Sequence, residues 1–134
     1  MIKFIAKHKS PQKGSKSAAG WDIFSSEEVI LPAGETRVIP TGLSFEIPEG
    51  SYGKIESRSS WARGGYFTAG GIIDADYRGE VGIIMFNSTK KDLMIPQGTK
   101  CAQIIFMQFL REIIESTVLT QTDRGSGGFG STDL

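Results

Sequence analysis

Leu43-Ser44-Phe45-Glu46-Ile47-Pro48-Glu49-Gly50 alternates apolar and polar side chains for five residues and then stops at a turn signal. A period of two puts Leu43, Phe45 and Ile47 on one face, as a half-buried β-strand requires. Proline two residues before glycine recurs at Pro32-Ala33-Gly34 and Pro96-Gln97-Gly98, so the same punctuation falls three times along the chain. Short apolar runs around these turns predict strands over 2–7, 29–31, 37–39, 43–47, 52–57, 72–74, 81–87, 93–95 and 101–110. The one stretch with helical character, 111–116, is short and reads equally well as strand. The strands flanking the three turns differ from one another, so there is no internal repeat. Many short strands at this spacing predict an all-β, single-domain sandwich or barrel.

The 134 residues suffice for one domain that buries about two-thirds of its unfolded surface. Lys plus Arg and Asp plus Glu both number 15, and a neutral field argues against holding duplex DNA through bulk charge. A small anion held by a few local arginines remains compatible with that balance. Cys101 stands alone in the apolar run Cys101-Ala102-Gln103-Ile104-Ile105-Phe106, so it is expected to pack as a small hydrophobe. With His8 as the single histidine, one chain cannot assemble a His/Cys zinc cluster. Lys3, Lys7, Lys9, Lys13 and Lys16 around it read as a solvated face. No apolar segment reaches membrane-spanning length, and 1–5 is too short for a signal-peptide core. The expectation is a soluble intracellular protein, cytoplasmic or nuclear, or virus-associated if viral, with no membrane and no stable nucleic-acid partner.

Three segments carry chemistry. Gly70-Gly71-Ile72-Ile73-Asp74-Ala75-Asp76-Tyr77-Arg78-Gly79-Glu80 opens with glycines whose backbone a ligand can approach closely. Apolar Ile72 and Ile73 then lead into Asp74, a carboxylate at the edge of the core that can orient a water and accept its proton. In Tyr52-Gly53-Lys54-Ile55-Glu56-Ser57-Arg58-Ser59-Ser60-Trp61-Ala62, Arg58 ends a strand and two hydroxyls follow in a Ser-rich turn, a set suited to phosphate oxygens. The tail Arg124-Gly125-Ser126-Gly127-Gly128-Phe129-Gly130-Ser131-Thr132-Asp133-Leu134 combines a guanidinium, exposed backbone N–H groups, hydroxyls and one ring. Gly125, Gly127 and Gly130 match a dinucleotide fingerprint in spacing, but too few residues follow for its helix. Ser131 stands where a P-loop requires lysine. Taken singly, these segments also fit an acidic hairpin turn, an ordinary strand end and an unstructured terminus.

Together they resemble the trimeric dUTP diphosphatase (dUTPase) family, with five motifs in order. These are Ala19-Gly20-Trp21-Asp22, Arg58-Ser59-Ser60, the segment from Gly71 to Gly79, Gly98-Thr99-Lys100-Cys101-Ala102-Gln103-Ile104-Ile105, and the tail from Arg124 to Thr132. The resemblance implies a jelly-roll-like β domain over 1–123 and a flexible, glycine-rich C-terminal arm over 124–134. It also implies a homotrimer whose active sites are shared between subunits and closed by that arm. The implied reaction is dUTP + H2O → dUMP + diphosphate, which limits uracil incorporation into DNA and supplies dUMP for thymidylate synthesis.

By the same resemblance Asp74 is the catalytic carboxylate, orienting the water that attacks the α-phosphorus. Tyr77 packs on the deoxyribose, and backbone groups near Gly70, Gly71 and Ile72 read uracil. Arg58, Ser59 and Ser60 contact phosphate, with Gln103 near the α-phosphate. Arg124, Gly130, Ser131 and Thr132 belong to the arm that holds the outer phosphates, while Phe129 caps the base. Asp22 acts on the metal through water only, because Mg²⁺ dehydrates reluctantly and is held by triphosphate oxygens and water. Trp21 departs from a usual Tyr or Phe, Ser57 from a frequent proline, Ser60-Trp61 from Gly-Leu, and Asp133 from a glycine. The rival readings are a dCTP deaminase-like enzyme and a non-catalytic dUTP-gated interaction module. The complete tail and Tyr77 favour the diphosphatase over the deaminase.

Overall fold

All three Pro-x-Gly turns form, with Gly34, Gly50 and Gly98 at φ of 73°, 83° and 80°. Those left-handed values are what glycine accepts and a Cβ resists. Glu35 and Ser51 donate their N–H groups to the carbonyls of Pro32 and Pro48 and close two of the turns. At the third, the Thr99 and Ser25 hydroxyls both donate to the Pro96 carbonyl. The computed structural model describes residues 1–130. Its elements are β1 (Lys3–Ala6), β2 (Trp21–Phe24), β3 (Val29–Leu31), β4 (Thr36–Glu46), β5 (Ser51–Ser57), α1 (Ser59–Gly64), β6 (Tyr66–Thr68), β7 (Ile72–Ile73), β8 (Val81–Asn87), β9 (Leu93–Ile95) and β10 (Lys100–Gln108).

Two four-stranded sheets, ordered β1-β4-β8-β6 and β2-β10-β5-β7, face one core, and the ribbon β3-β9 adds to it. Strand β8 shows why: Val81, Ile83 and Met85 are buried while Ile84 between them is exposed. Leu43 and Phe45 of β4 enter the core from the same sheet, and Ile23, Ile55, Ala102 and Ile104 enter from the other. The expected all-β sandwich of jelly-roll type is the observed architecture. Cys101 is fully buried, its thiol donates to the Thr99 carbonyl at 3.1 Å, and burial pushes its pKa up to about 11.

Several boundaries differ from the sequence reading. The predicted strands 37–39 and 43–47 form one strand, β4, with a register shift between Pro40 and Leu43. Proline cannot donate to the ladder, but the Thr41 hydroxyl bridges the gap, donating to Val81 O and accepting from Leu43 N. Arg58 does not end a strand. β5 stops at Ser57, Arg58 flanks helix α1, and Ser59 and Ser60 form its first turn. Residues 111–116 form neither helix nor strand: β10 ends at Gln108 and residues 109–119 are all exposed, so no buried apolar face holds them in regular structure. β2 and β6 lay outside the predicted strands. Among the described residues, no helix is long and apolar enough to cross a membrane.

Asn87 ties the ribbon and the 88–91 loop to the core. Wholly buried, its amide donates to Leu31 O and Lys91 O, and its Oδ1 accepts from Thr89 N and Thr89 Oγ1. Asn87→Ala leaves those groups unpaired and should cost about 2–4 kcal/mol, read as a lower urea midpoint at fixed protein concentration.

Candidate functional site

Sheet register places one group of candidate residues. Gln103 of β10 lies opposite Asp22 of β2 and Glu56 of β5, so these three side chains share the sheet face that points away from Ile104 and Ile55. The Gln103 amide donates to the Ser57 carbonyl at 3.2 Å. Gly20 makes room for it, since a Cβ there would stand 3.0 Å from Gln103 Cδ and 3.1 Å from its Cβ. Arg58 donates through Nη1 to the Lys100 carbonyl at 3.2 Å, which ties the start of α1 to β10. The Ser59 and Ser60 hydroxyl side chains are exposed beside it. Asp22 faces the Lys100 ammonium at 3.4 Å, and its side chain is only 19% exposed. Lys54 and Glu56 pair at 2.9 Å nearby, and that hydrogen bond raises the lysine pKa.

The second group sits on the hairpin strand β7. Ile73 and Ile72 pair with Gly53 and Lys54, so Asp74 leaves the sheet beside Tyr52, at the start of β5. Gly71 is pressed against β5: its carbonyl accepts from Ile55 N at 2.9 Å, and its φ is 89°. A Cβ there would meet Ile55 O at 3.1 Å and Ile55 Cβ at 3.2 Å. Asp74 is exposed and lines a cavity of about 240 Å³ with Ile72, Tyr52 and Phe109. Tyr77 is 45% exposed, and its hydroxyl donates to Glu80 O at 2.9 Å. Its N–H closes a turn onto Asp74 O at 3.2 Å.

Within one chain the two groups stay apart. Asp74 stands at the Tyr52 end of β5 and Arg58 follows its other end, six residues on, or about 20 Å at strand rise. A larger cavity, about 430 Å³, opens between β1 and β4 beside Arg78 and holds none of the candidate residues. Arg124 forms a small turn in the tail, donating through Nε to Gly127 O at 2.7 Å while Gly127 N donates back to Arg124 O. The Phe129 ring is fully exposed on a left-handed backbone with φ of 53°, and Gly130 follows it. Ser131 and Thr132, together with Asp133, lie outside the described residues.

Tyr52, Phe109, Gly20 and Lys100 were not singled out as site residues in their own right. Tyr52 and Phe109 lie within apolar strand-like runs, and only the fold sets them beside Asp74. Trp21 is 38% exposed with the Lys13 ammonium 5.3 Å from its ring, a cation–π contact that gives this departure a packing role. Among the described residues, no group of three or more His, Cys, Asp or Glu side chains could hold a metal ion.

The class is an all-β sandwich of jelly-roll type, with Asp74 following a glycine hairpin, Gln103 on β10 and Arg58 at the start of α1. Comparison with known proteins places it further. The family model described as dUTPase matches residues 6–133, and the chain belongs to that family. The deoxyuridine 5'-triphosphate nucleotidohydrolase of Kluyveromyces lactis is 44% identical over 127 residues, 92% of this chain and 86% of that protein. A mutant dUTPase of Staphylococcus bacteriophage 80alpha, solved with dUpNHpp, superposes with a TM-score of 0.92 at 25% identity, covering 100% of this chain and 99% of that one. A mutant dUTPase from phage phi11 of S. aureus, described with a structural Mg(II) ion, gives 0.81 at 25% identity over 87% of this chain and 96% of that one.

The two hairpin glycines should respond differently to alanine. Gly70 has φ of 60° but only Ile84 Cδ1 within reach of a new Cβ, at 3.4 Å, whereas Gly71 meets backbone atoms of Ile55. Gly70→Ala should cost about 1–2 kcal/mol, the left-handed penalty alone. Gly71→Ala should cost more and, by pushing β7 off β5, should speed amide hydrogen exchange at Ile55 at least ~10-fold.

Proposed function

We propose that this chain hydrolyses dUTP to dUMP and diphosphate, in sites assembled between copies of a homotrimer. Membership of the dUTPase family supports the reaction. The observation that carries the shared-site reading is the separation of Asp74 from Arg58, which lie at opposite ends of β5. In this reading a second copy brings its Arg58 to the Asp74 hairpin of the first. Exposed Leu110, Ile113, Ile114, Val118 and Leu119 add to this, because an extended apolar segment left uncovered calls for a partner surface. An obligate interface of this kind buries on the order of 2,000 Å² or more.

In the proposed reaction the Asp74 carboxylate aligns a water and takes its proton as the oxygen attacks the α-phosphorus, and diphosphate leaves. Arg58, with Ser59 and Ser60, supplies donors to phosphate oxygens. Gln103, oriented by its bond to Ser57 O, donates to the α-phosphate. The backbone of Gly70, Gly71 and Ile72 reads the edge of uracil, and the Tyr77 ring packs on the deoxyribose. Mg²⁺, when bound, neutralises charge on the triphosphate, and Asp22 holds one of its waters. The arm 124–134, carried on the extended segment after β10, places Arg124, Ser131 and Thr132 on the outer phosphates. Gly130 lets it bend, and Phe129 stacks over the base.

Incubation of the purified protein with each dNTP and Mg²⁺ tests the reaction: diphosphate from dUTP alone is expected, and ammonia from dCTP or binding without turnover would overturn it. Asp74→Asn should retain dUTP binding and lose turnover by at least ~10²-fold, since an amide keeps the shape but is a poor base. Deleting 124–134 should leave the trimer intact by analytical ultracentrifugation and the melting point little changed, yet nearly abolish hydrolysis. A truncated protein as active as the full chain would remove the arm from the site, and an active monomer would contradict the sharing.

A further inference from the structure

The Tyr77 ring rests on a glycine. Its backbone N–H bonds to Asp74 O and its hydroxyl to Glu80 O, so the side chain folds back along its own loop and over Gly79. A Cβ at Gly79 would lie 2.5 Å from Tyr77 Oη, 2.6 Å from Cζ and 2.9 Å from Cε1. Carbon contacts settle at about 3.5–4.0 Å, so a methyl group and the ring cannot share this place. Gly79 is absent from the left-handed positions of the backbone, so the position demands space and not an unusual conformation. The rest of the loop is pinned, with Arg78 Nη1 donating to Ala75 O at 2.6 Å and to Tyr77 O at 3.3 Å. The clash falls on the outer end of the Tyr77 side chain, so the ring is what gives way while the loop keeps its internal hydrogen bonds.

We propose that Gly79 is a positioning residue for sugar selection: its missing side chain is the seat that holds the Tyr77 ring where the 2′-carbon of the substrate packs. The inference rests on the reading of Tyr77 as the ring that faces the sugar. With the ring unseated, dUTP loses a contact that UTP never fits, and the loss falls mainly on dUTP binding.

The test compares wild type, Gly79→Ala, Tyr77→Ala and the double variant, with kcat and KM measured for dUTP and UTP in Mg²⁺. Gly79→Ala should lower the dUTP-to-UTP ratio of kcat/KM at least about tenfold, mostly through a higher KM for dUTP, within the ~10²-fold that a misplacement near 1 Å can cost. General destabilisation would lower both substrates together and leave that ratio alone. In the Tyr77→Ala background the same substitution should change the ratio less than about twofold, because the clash has gone. An unchanged ratio in Gly79→Ala, or an equal loss in both backgrounds, overturns the proposal. If Gly79→Ala does not fold, the double variant decides: folded, with the ratio of Tyr77→Ala, it supports the seat, and unfolded it overturns it. A wild-type ratio in Tyr77→Ala overturns the reading of Tyr77 and this inference together. Loss of the ratio in Tyr77→Ala but not in Gly79→Ala overturns the role of Gly79 alone.

Discussion

The pairing of β10 with β5 is the constraint on which the rest of the molecule depends. The ladder runs without a shift from Ala102 opposite Ser57 to Gln108 opposite Ser51, and β2 holds the other edge of β10. If β10 slipped by one residue against β5, Ile104 would turn toward water and Gln103 would be driven into the core. The cost of burying that amide without partners, and of exposing Ile104, fixes the register. With the register fixed, Gln103 must lie between Asp22 and Glu56, and the Lys100 carbonyl must meet the Arg58 guanidinium. Core packing thus sets the position of polar groups that never enter the core.

β5 also acts as a spacer. The hairpin strand β7 attaches near its start and helix α1 leaves from its end, so Asp74 and Arg58 are held about a strand length apart on the sheet. A flexible linker between them would let one chain close on its own ligand at a cost in entropy. The sheet holds Asp74 and Arg58 apart, and that is the geometry on which the proposed sharing between copies relies. In the segment that follows β10, Phe109 packs on Tyr52 while Leu110, Ile113, Ile114, Val118 and Leu119 are exposed.

Close approach recurs wherever a candidate side chain or strand is positioned. Gly20 clears the path of Gln103, Gly71 lets β7 lie against Ile55, and Gly79 leaves space under Tyr77. In each case the absence of one carbon sets where a larger group rests. Steric exclusion at contact distance is steep, so small residues hold these groups more sharply than a surface hydrogen bond could.

The alternation from Leu43 to Ile47, the Pro-x-Gly turns and the run into Asp74 are local properties, and the sequence alone determined from them an all-β chain with a carboxylate at a strand end. The ordered motifs likewise carried the family, because their residue types and spacing do not depend on what packs against what. Two strands instead of β4, a turn instead of α1 and the omission of β2 and β6 came from judging short segments without their neighbours. Pro40 reads as a break until the Thr41 hydroxyl is seen to bridge to Val81, forty residues away. Tyr52 and Phe109 beside Asp74, Gly20 beneath Gln103 and the distance between Asp74 and Arg58 were decided only by tertiary structure. Each depends on which strands pair and in what register, and that pairing is selected by the burial of the whole core, which no local stretch of sequence contains.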